Sequence, residues 1–128
     1  MSSSADIYIS SELILKLHAH EKKIKVICNE ILQCKKNKKK ILVAGNGGSC
    51  SDAEHFVGEL QCTYNDRERD PISAISLASL PAALTAWSND FGFLTFFKSQ
   101  VQAHGTVGDI LFLISTGGGD EKAGSSMS

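Results

Sequence analysis

The stretch ILVAGNGGSCSDAEHFVGEL, from Ile41 to Leu60, is the most informative part of this 128-residue chain for its fold. It begins with a continuous apolar run, Ile41 to Ala44, which is typical of a strand buried on both faces of a parallel sheet. A glycine-rich turn at 45–49 follows, and apolar residues then recur at helical spacing, with Ser51 or Asp52 as the predicted N-cap. The stretch therefore predicts a strand, a glycine turn and a helix.

Two further apolar runs, at 72–77 and 109–115, predict two more strands. Short helices are predicted near 81–87 and around 96–101. Strands that alternate with helices are typical of the α/β class, in which crossover helices cover both faces of a parallel sheet. We therefore expect a three-layer α/β/α sandwich with a parallel sheet. Because no pattern of a helix or strand follows the third strand, we expect the chain to be truncated relative to a larger α/β domain.

The N-terminal part predicts a long leading helix, because apolar residues recur at helical spacing between Ala5 and Cys34. Ser10 or Ser11 is the predicted cap. The apolar pattern weakens at His20 and Glu21, so either the helix breaks there or this turn faces a partner other than the core. Such a helix serves either in assembly or as cover for the core.

The domain organisation follows from these elements. We expect a single domain over 1–128, with an N-terminal helical assembly segment at 1–40, an αβ core at 41–119 and a disordered tail at 120–128.

The composition of the chain limits which kinds of binding partner and which cellular compartment we expect for this protein. The net charge is −1, with 42% hydrophobic and 21% charged residues, so the chain has no electrostatic bias toward nucleic acid or a membrane surface. Its four cysteines show no CxxC spacing, and the N-terminus has no signal-peptide pattern. No apolar run approaches the roughly 20 residues that cross a bilayer. We expect a soluble, cytoplasmic protein without nucleic-acid or membrane partners.

The two glycine-rich turns predict a phosphate site. A turn of this kind between a strand and a helix lets backbone N–H groups approach an anion, and the helix N-terminus adds positive potential. Ser49 follows the first turn, and Ser115, Thr116 and Gly117 begin the second. Both turns follow parallel strands, so they are expected at the same sheet edge. Neither common nucleotide motif is present, and a tight turn without a ligand is the alternative.

His55 and Glu59 are four residues apart and therefore share one face of the predicted helix. A carboxylate beside an imidazole can transfer protons or bind a divalent metal such as zinc. The alternative is a surface hydrogen bond between the two side chains.

Three segments, GNGGSCSDAEHFVGEL, SNDFGF and GDILFLISTGGG, resemble the sugar isomerase (SIS) domain family and, within it, the phosphoheptose isomerases. The resemblance covers about Ala5 to Gly119. It implies a flavodoxin-like fold, a homotetramer with active sites between subunits, and zinc at each site. It also implies conversion of sedoheptulose 7-phosphate to D-glycero-D-manno-heptose 7-phosphate through an enediol, a step toward bacterial lipopolysaccharide heptose.

The resemblance also assigns roles to individual residues. His55 and Glu59 match metal-site positions, and Glu59 is in addition the candidate base. The matched substrate-binding positions are Asn46, Gly47, Gly48, Ser49, Asn89, Asp90, Ser115, Thr116 and Gly117. The second turn departs from the family pattern, since Gly117 and Asp120 replace hydroxyl residues.

The C-terminal part of the sequence suggests a second functional hypothesis besides an enzyme. The remaining zinc ligands and a second acid–base group of the family are expected beyond the end of this chain. The alternative to an isomerase is therefore a non-catalytic SIS domain that binds phosphosugars or acts as an adaptor, of the type that binds a replication initiator.

Overall fold

The computed structural model describes residues 3–62 and 64–118. They fall into two compact units, divided between Gln33 and Cys34. The predicted boundaries at 40 and 119 stay a prediction, and the predicted tail at 120–128 lies outside the described residues.

The first unit is helical. Helix α1 spans Ser3–Lys16, a 3₁₀ turn covers Leu17–His20, and helix α2 runs over Glu21–Lys36, ending just inside the second unit. Of the two alternatives for the weakened apolar pattern at His20 and Glu21, the 3₁₀ turn supports a break in the leading helix. The predicted cap is wrong, because Ser10 and Ser11 lie inside α1, where the Ser11 hydroxyl donates to the Tyr8 carbonyl at 2.7 Å.

The second unit is built on a parallel three-stranded sheet. Strands β1 (Ile41–Gly45), β2 (Ala74–Ser76) and β3 (Ile110–Ile114) lie in the order β2-β1-β3. All five residues of β1 are buried, as its apolar run predicts for a central strand. The pairing places Gly45 opposite Ile114.

Helices cover both faces of this sheet. Helix α3 (Gly48–Gln61) packs on one face through buried Ala53, Val57 and Leu60, and the other face carries α4 (Pro81–Phe91), a 3₁₀ turn at Phe93–Thr95 and α5 (Phe96–His104). The core of the second face consists of Leu42, Ala44, Leu77, Phe96 and Phe97. The predicted three-layer α/β/α sandwich with a parallel sheet is confirmed.

A buried carboxylate joins the starts of β1 and β3. Asp109 Oδ2 lies 2.6 Å from Lys40 Nζ and accepts from the Thr106 amide at 2.8 Å, while Oδ1 accepts from the Lys40 amide at 3.0 Å. The Asp109 side chain is 5% exposed. Burial raises the pKa of Asp109, but the hydrogen bonds from Lys40 and Thr106 outweigh burial and hold this pKa well below its usual range.

Strand β3 is less covered than the sequence predicts. Leu111 and Leu113 are 47% and 49% exposed, whereas the continuous apolar run predicts burial on both faces. Both side chains share the sheet face of their partners Leu42 and Ala44, so within residues 3–62 and 64–118 the helices on that face cover β1 more completely than β3. Over those same residues, no helix has both the length and the hydropathy required to span a membrane.

Candidate functional site

The first glycine turn is formed by the close approach of β1 and α3. A Cβ on Gly45 would overlap with the carbonyl of Ser49, so the strand can meet the helix there only through glycine. Gly47, at φ 56°, is the N-cap of α3, and the Cys50 amide donates to its carbonyl at 3.0 Å. The helix therefore begins at Gly48, and the predicted cap at Ser51 or Asp52 is wrong because both residues already lie within α3.

The early start of α3 leaves open space at its N-terminus. A Cβ on Gly47 or Gly48 would meet no atom within 4 Å. Asn46, Gly47 and Gly48 are exposed, and Ser49 in the first helical turn is half-buried. An anion can approach the backbone here without obstruction, and the helix N-terminus favours negative charge.

The second turn lies beside the first. Because Gly45 pairs with Ile114, the chain leaves β1 and β3 at the same sheet edge. Ser115 Oγ accepts a hydrogen bond from the Gly118 amide at 3.0 Å, and this bond closes the turn. Thr116 and Gly117 are exposed. Two small, polar turns at the carboxyl edge of a parallel sheet are the usual place for a ligand in this fold class.

His55 and Glu59 contact one another on α3. His55 Nε2 lies 3.3 Å from Glu59 Oε1, and the side chains are 80% and 37% exposed. The second carboxylate oxygen, Oε2, is buried and has no hydrogen-bond partner among the described residues. A buried carboxylate oxygen without a partner is energetically costly, so this atom is suited to a bound group.

The same two residues fit part of a metal site. An imidazole nitrogen and a carboxylate oxygen are both zinc ligands, and the unpaired Oε2 adds a further donor. Within the described ranges, no group of three or more His, Cys, Asp or Glu side chains is assembled. His55 and Glu59 would supply two of the four ligands that a tetrahedral ion needs.

Asn89 and Asp90 lie at the end of α4, in the helical layer on the opposite face of the sheet from α3. Both belong to the last turn of α4, both are exposed, and the Asn89 amide donates to Asp90 Oδ1 at 2.8 Å. No hydrogen bond or ion pair joins them to His55 or Glu59 in the part of the chain that the structure describes. Their contact with substrate stays a prediction.

Sequence reasoning missed Arg69 at the end of α3. The segment NDRERDP reads as a charged surface loop, yet the Arg69 guanidinium donates to the carbonyls of Glu59 and Leu60. No spacing rule links a loop arginine to a helix end ten residues earlier, so the contact becomes visible only in three dimensions.

The profile of the SIS domain family matches residues 10–123. The chain belongs to the SIS domain family. Its similarity to individual relatives points to one branch of that family. It is 40% identical over 113 residues to a phosphoheptose isomerase of Campylobacter concisus, covering 80% of this chain and 59% of that protein. A phosphoheptose isomerase of Neisseria meningitidis is 48% identical over 88 residues, which is 69% of this chain and 44% of that protein.

Solved SIS-domain structures agree with this placement. A phosphoheptose isomerase from Francisella tularensis superposes with a TM-score of 0.76 at 35% identity, covering 91% of this chain and 63% of that one. The phosphoheptose isomerase GmhA from Neisseria gonorrhoeae superposes with a TM-score of 0.63 at 34% identity, covering 88% of this chain and 61% of that one. The chain thus spans less than two thirds of the length of each of these relatives.

Proposed function

We propose that this SIS domain belongs to an aldose–ketose isomerase that converts sedoheptulose 7-phosphate to D-glycero-D-manno-heptose 7-phosphate, toward lipopolysaccharide heptose. The observation that carries the proposal is the His55–Glu59 contact on the helix that starts at the glycine turn, with the buried Glu59 oxygen unpaired. A phosphate-binding module without catalysis needs no such pair. The similarity to phosphoheptose isomerases supports the same conclusion.

The proposed mechanism divides binding and proton transfer between the two halves of α3. The open amides at Gly47 and Gly48, with the hydroxyls of Ser49 and Thr116, bind the phosphate. Glu59 then removes a proton from C1 of the ketose while O2 takes up a proton from solvent, which gives the enediol. Glu59 returns its proton to C2 while O1 releases its hydroxyl proton to solvent, which leaves the aldehyde at C1. His55, within 3.3 Å of Oε1, orients the carboxylate. Asn89 and Asp90 are proposed to contact the sugar hydroxyls.

We further propose that the metal of this site is zinc, held on this chain by His55 and Glu59, with the other ligands outside the described residues. When bound, zinc supplies Lewis-acid polarisation of the substrate oxygens. The unpaired Glu59 Oε2 supports this assignment, because a carboxylate can hold a cation with one oxygen and leave the other for proton transfer.

Deuterium exchange tests the proposed chemistry. The chain is incubated with sedoheptulose 7-phosphate in heavy water, with and without added zinc, and the C1 protons are followed by NMR. We expect exchange at C1, because enediol formation releases this proton to a base that solvent can reach. A folded protein that binds the sugar phosphate but exchanges no proton would contradict proton abstraction by this chain alone, as expected of a binding module or of an incomplete enzyme.

Gly48→Ala tests the phosphate contact. We expect affinity for sedoheptulose 7-phosphate to fall by about 10–100-fold, since blocking one charge-assisted hydrogen bond costs about 1.5–3 kcal/mol. Stability should stay unchanged or rise by up to about 1 kcal/mol, because the new methyl group meets no protein atom and alanine favours the helix. Titration calorimetry and thermal unfolding measure the two effects. Gly58→Ala, on the same helix and also without steric conflict, is the matched control, and equal losses in both variants would contradict the assignment.

A homotetramer is the proposed assembly. The first unit exposes many apolar side chains, including Ile7, Leu13, Ile14 and Leu15 of α1 and Val26 of α2. Each is more than half exposed, and a surface of this kind marks an interaction site. Light scattering should give the mass of four chains, and a monomeric mass would refute the proposal.

We place the assembly in the cytoplasm, where the four free cysteines would stay reduced.

A further inference from the structure

The end of α3 is held by one arginine side chain from the following loop. Arg69 Nη2 donates to the Glu59 carbonyl at 2.7 Å and to the Cys62 carbonyl at 3.2 Å. Arg69 Nη1 donates to the carbonyls of Leu60 at 3.1 Å and Asp70 at 3.0 Å. Both arms of the guanidinium are therefore used, and three of the four acceptors belong to the end of this helix.

This contact supplies what a helix C-terminus lacks. The last four carbonyls of an α-helix have no partner within the helix, and their combined partial charge is negative. A half-buried guanidinium satisfies several of them at once and complements that charge. The Ile72 amide also donates to the Leu60 carbonyl at 2.9 Å, so a backbone hydrogen bond adds to the Arg69 contacts at this helix end.

Glu59 depends on this end of the helix for its position. It lies two residues before the last residue of α3, Gln61, in the turn that frays first when its carbonyls are unpaired. Arg69 bonds to the backbone carbonyl of Glu59 itself. Proton transfer is sensitive to displacement, since a 1 Å error in the position of a reacting group can lower a rate by about 10²-fold.

We infer that Arg69 is a positioning residue for the proposed base: it fixes the last turn of α3 and, through that turn, the Glu59 carboxylate. The inference rests on the proposed isomerase function for its catalytic consequence, whereas its structural part is independent of that function.

The test compares Arg69→Ala and Arg69→Lys with Arg67→Ala. Arg67 lies in the same loop and is exposed, without a hydrogen bond or ion pair to any described residue, so it controls for the loss of one charge. Hydrogen–deuterium exchange followed by mass spectrometry compares amide exchange rates in the last turn of α3 with those in its first turn. Steady-state kinetics give kcat and KM for sedoheptulose 7-phosphate separately.

For Arg69→Ala we expect amide exchange to rise at least about tenfold in the last turn of α3 only, with kcat reduced by about 10–100-fold and KM within about twofold of the wild type. Arg69→Lys should recover part of kcat, because an ammonium group keeps the charge but not the two-armed contact. Arg67→Ala should match the wild type. If Arg69→Ala does not fold, Arg69→Lys decides, and a wild-type kcat in that variant would overturn the inference.

The two proposals fail in different ways. Unchanged exchange in the last turn of α3 overturns the inference, whatever the activity. So does a rise in KM at constant kcat, because that result locates the effect in binding. A wild-type chain without isomerase activity overturns the proposed function, and the exchange data then decide by themselves whether Arg69 orders the Glu59 turn.

Discussion

Glu59→Gln is expected to lower the rate of deuterium incorporation into sedoheptulose 7-phosphate by about 10²–10⁴-fold, the usual contribution of a general base. Glutamine keeps the shape of the side chain and one acceptor oxygen, but its amide does not accept a proton at neutral pH. Affinity for the sugar phosphate, measured by titration calorimetry, should change little because the proposed phosphate site lies at the other end of α3.

Glu54→Gln is the matched control for this variant. Glu54 lies on the same helix and is exposed, so the substitution removes the same charge without touching the contact between His55 and Glu59. We expect wild-type exchange from Glu54→Gln. If Glu59→Gln also exchanged deuterium at the wild-type rate, the base would have to be another residue. Zinc content, measured in parallel, separates a lost base from a lost ligand.

Asp109→Asn is expected to lower the free energy of unfolding by about 2–3 kcal/mol at pH 7, the range for loss of hydrogen bonds to a buried charged group. Asparagine has one acceptor oxygen where the carboxylate has two, and its amide would meet donors from Lys40 and Thr106. Urea unfolding followed by Trp87 fluorescence measures the loss. Asp70→Asn is the control, because its ion pair with Lys35, at 3.7 Å, is 88% exposed on the aspartate side and should contribute little.

The pH dependence of stability distinguishes the charge of Asp109 from its shape. Its pKa is lower in the folded chain than in the unfolded chain, so its stabilisation is complete above the unfolded value near 4 and decreases as pH falls toward the folded value. The wild type should therefore lose stability between about pH 5 and pH 2 more steeply than Asp109→Asn. Parallel curves for the two proteins would show that the ionisation of Asp109 is not responsible.

The layers of the fold could be predicted because the sequence signals for them are local. A continuous apolar run as short as 41–44 favours a buried strand, and the glycines after it favour a turn. The helix boundaries were harder to predict. Ser51 and Asp52 are good caps in general, but the positive φ of Gly47 starts the helix earlier.

Features that depend on distant residues could not be predicted. The exposure of Leu111 depends on how far the helices cover that face of β3, which the apolar composition of the strand does not specify. Asn89 and Asp90 lie beyond the helix predicted near 81–87, but α4 continues through them to Phe91. At the candidate site, the shared face of His55 and Glu59 followed from spacing, whereas the support from Arg69 crosses a loop and follows no periodicity.

The central position of β1 has a consequence for synthesis of the chain. Its two neighbours both come later in sequence, and β3 does not begin until Ile110. A ribosome that has released β1 must therefore add most of the described chain before the second side of this apolar strand finds its partner. During that interval the strand offers unpaired backbone groups to other chains, which is the situation in which chaperones bind nascent polypeptides.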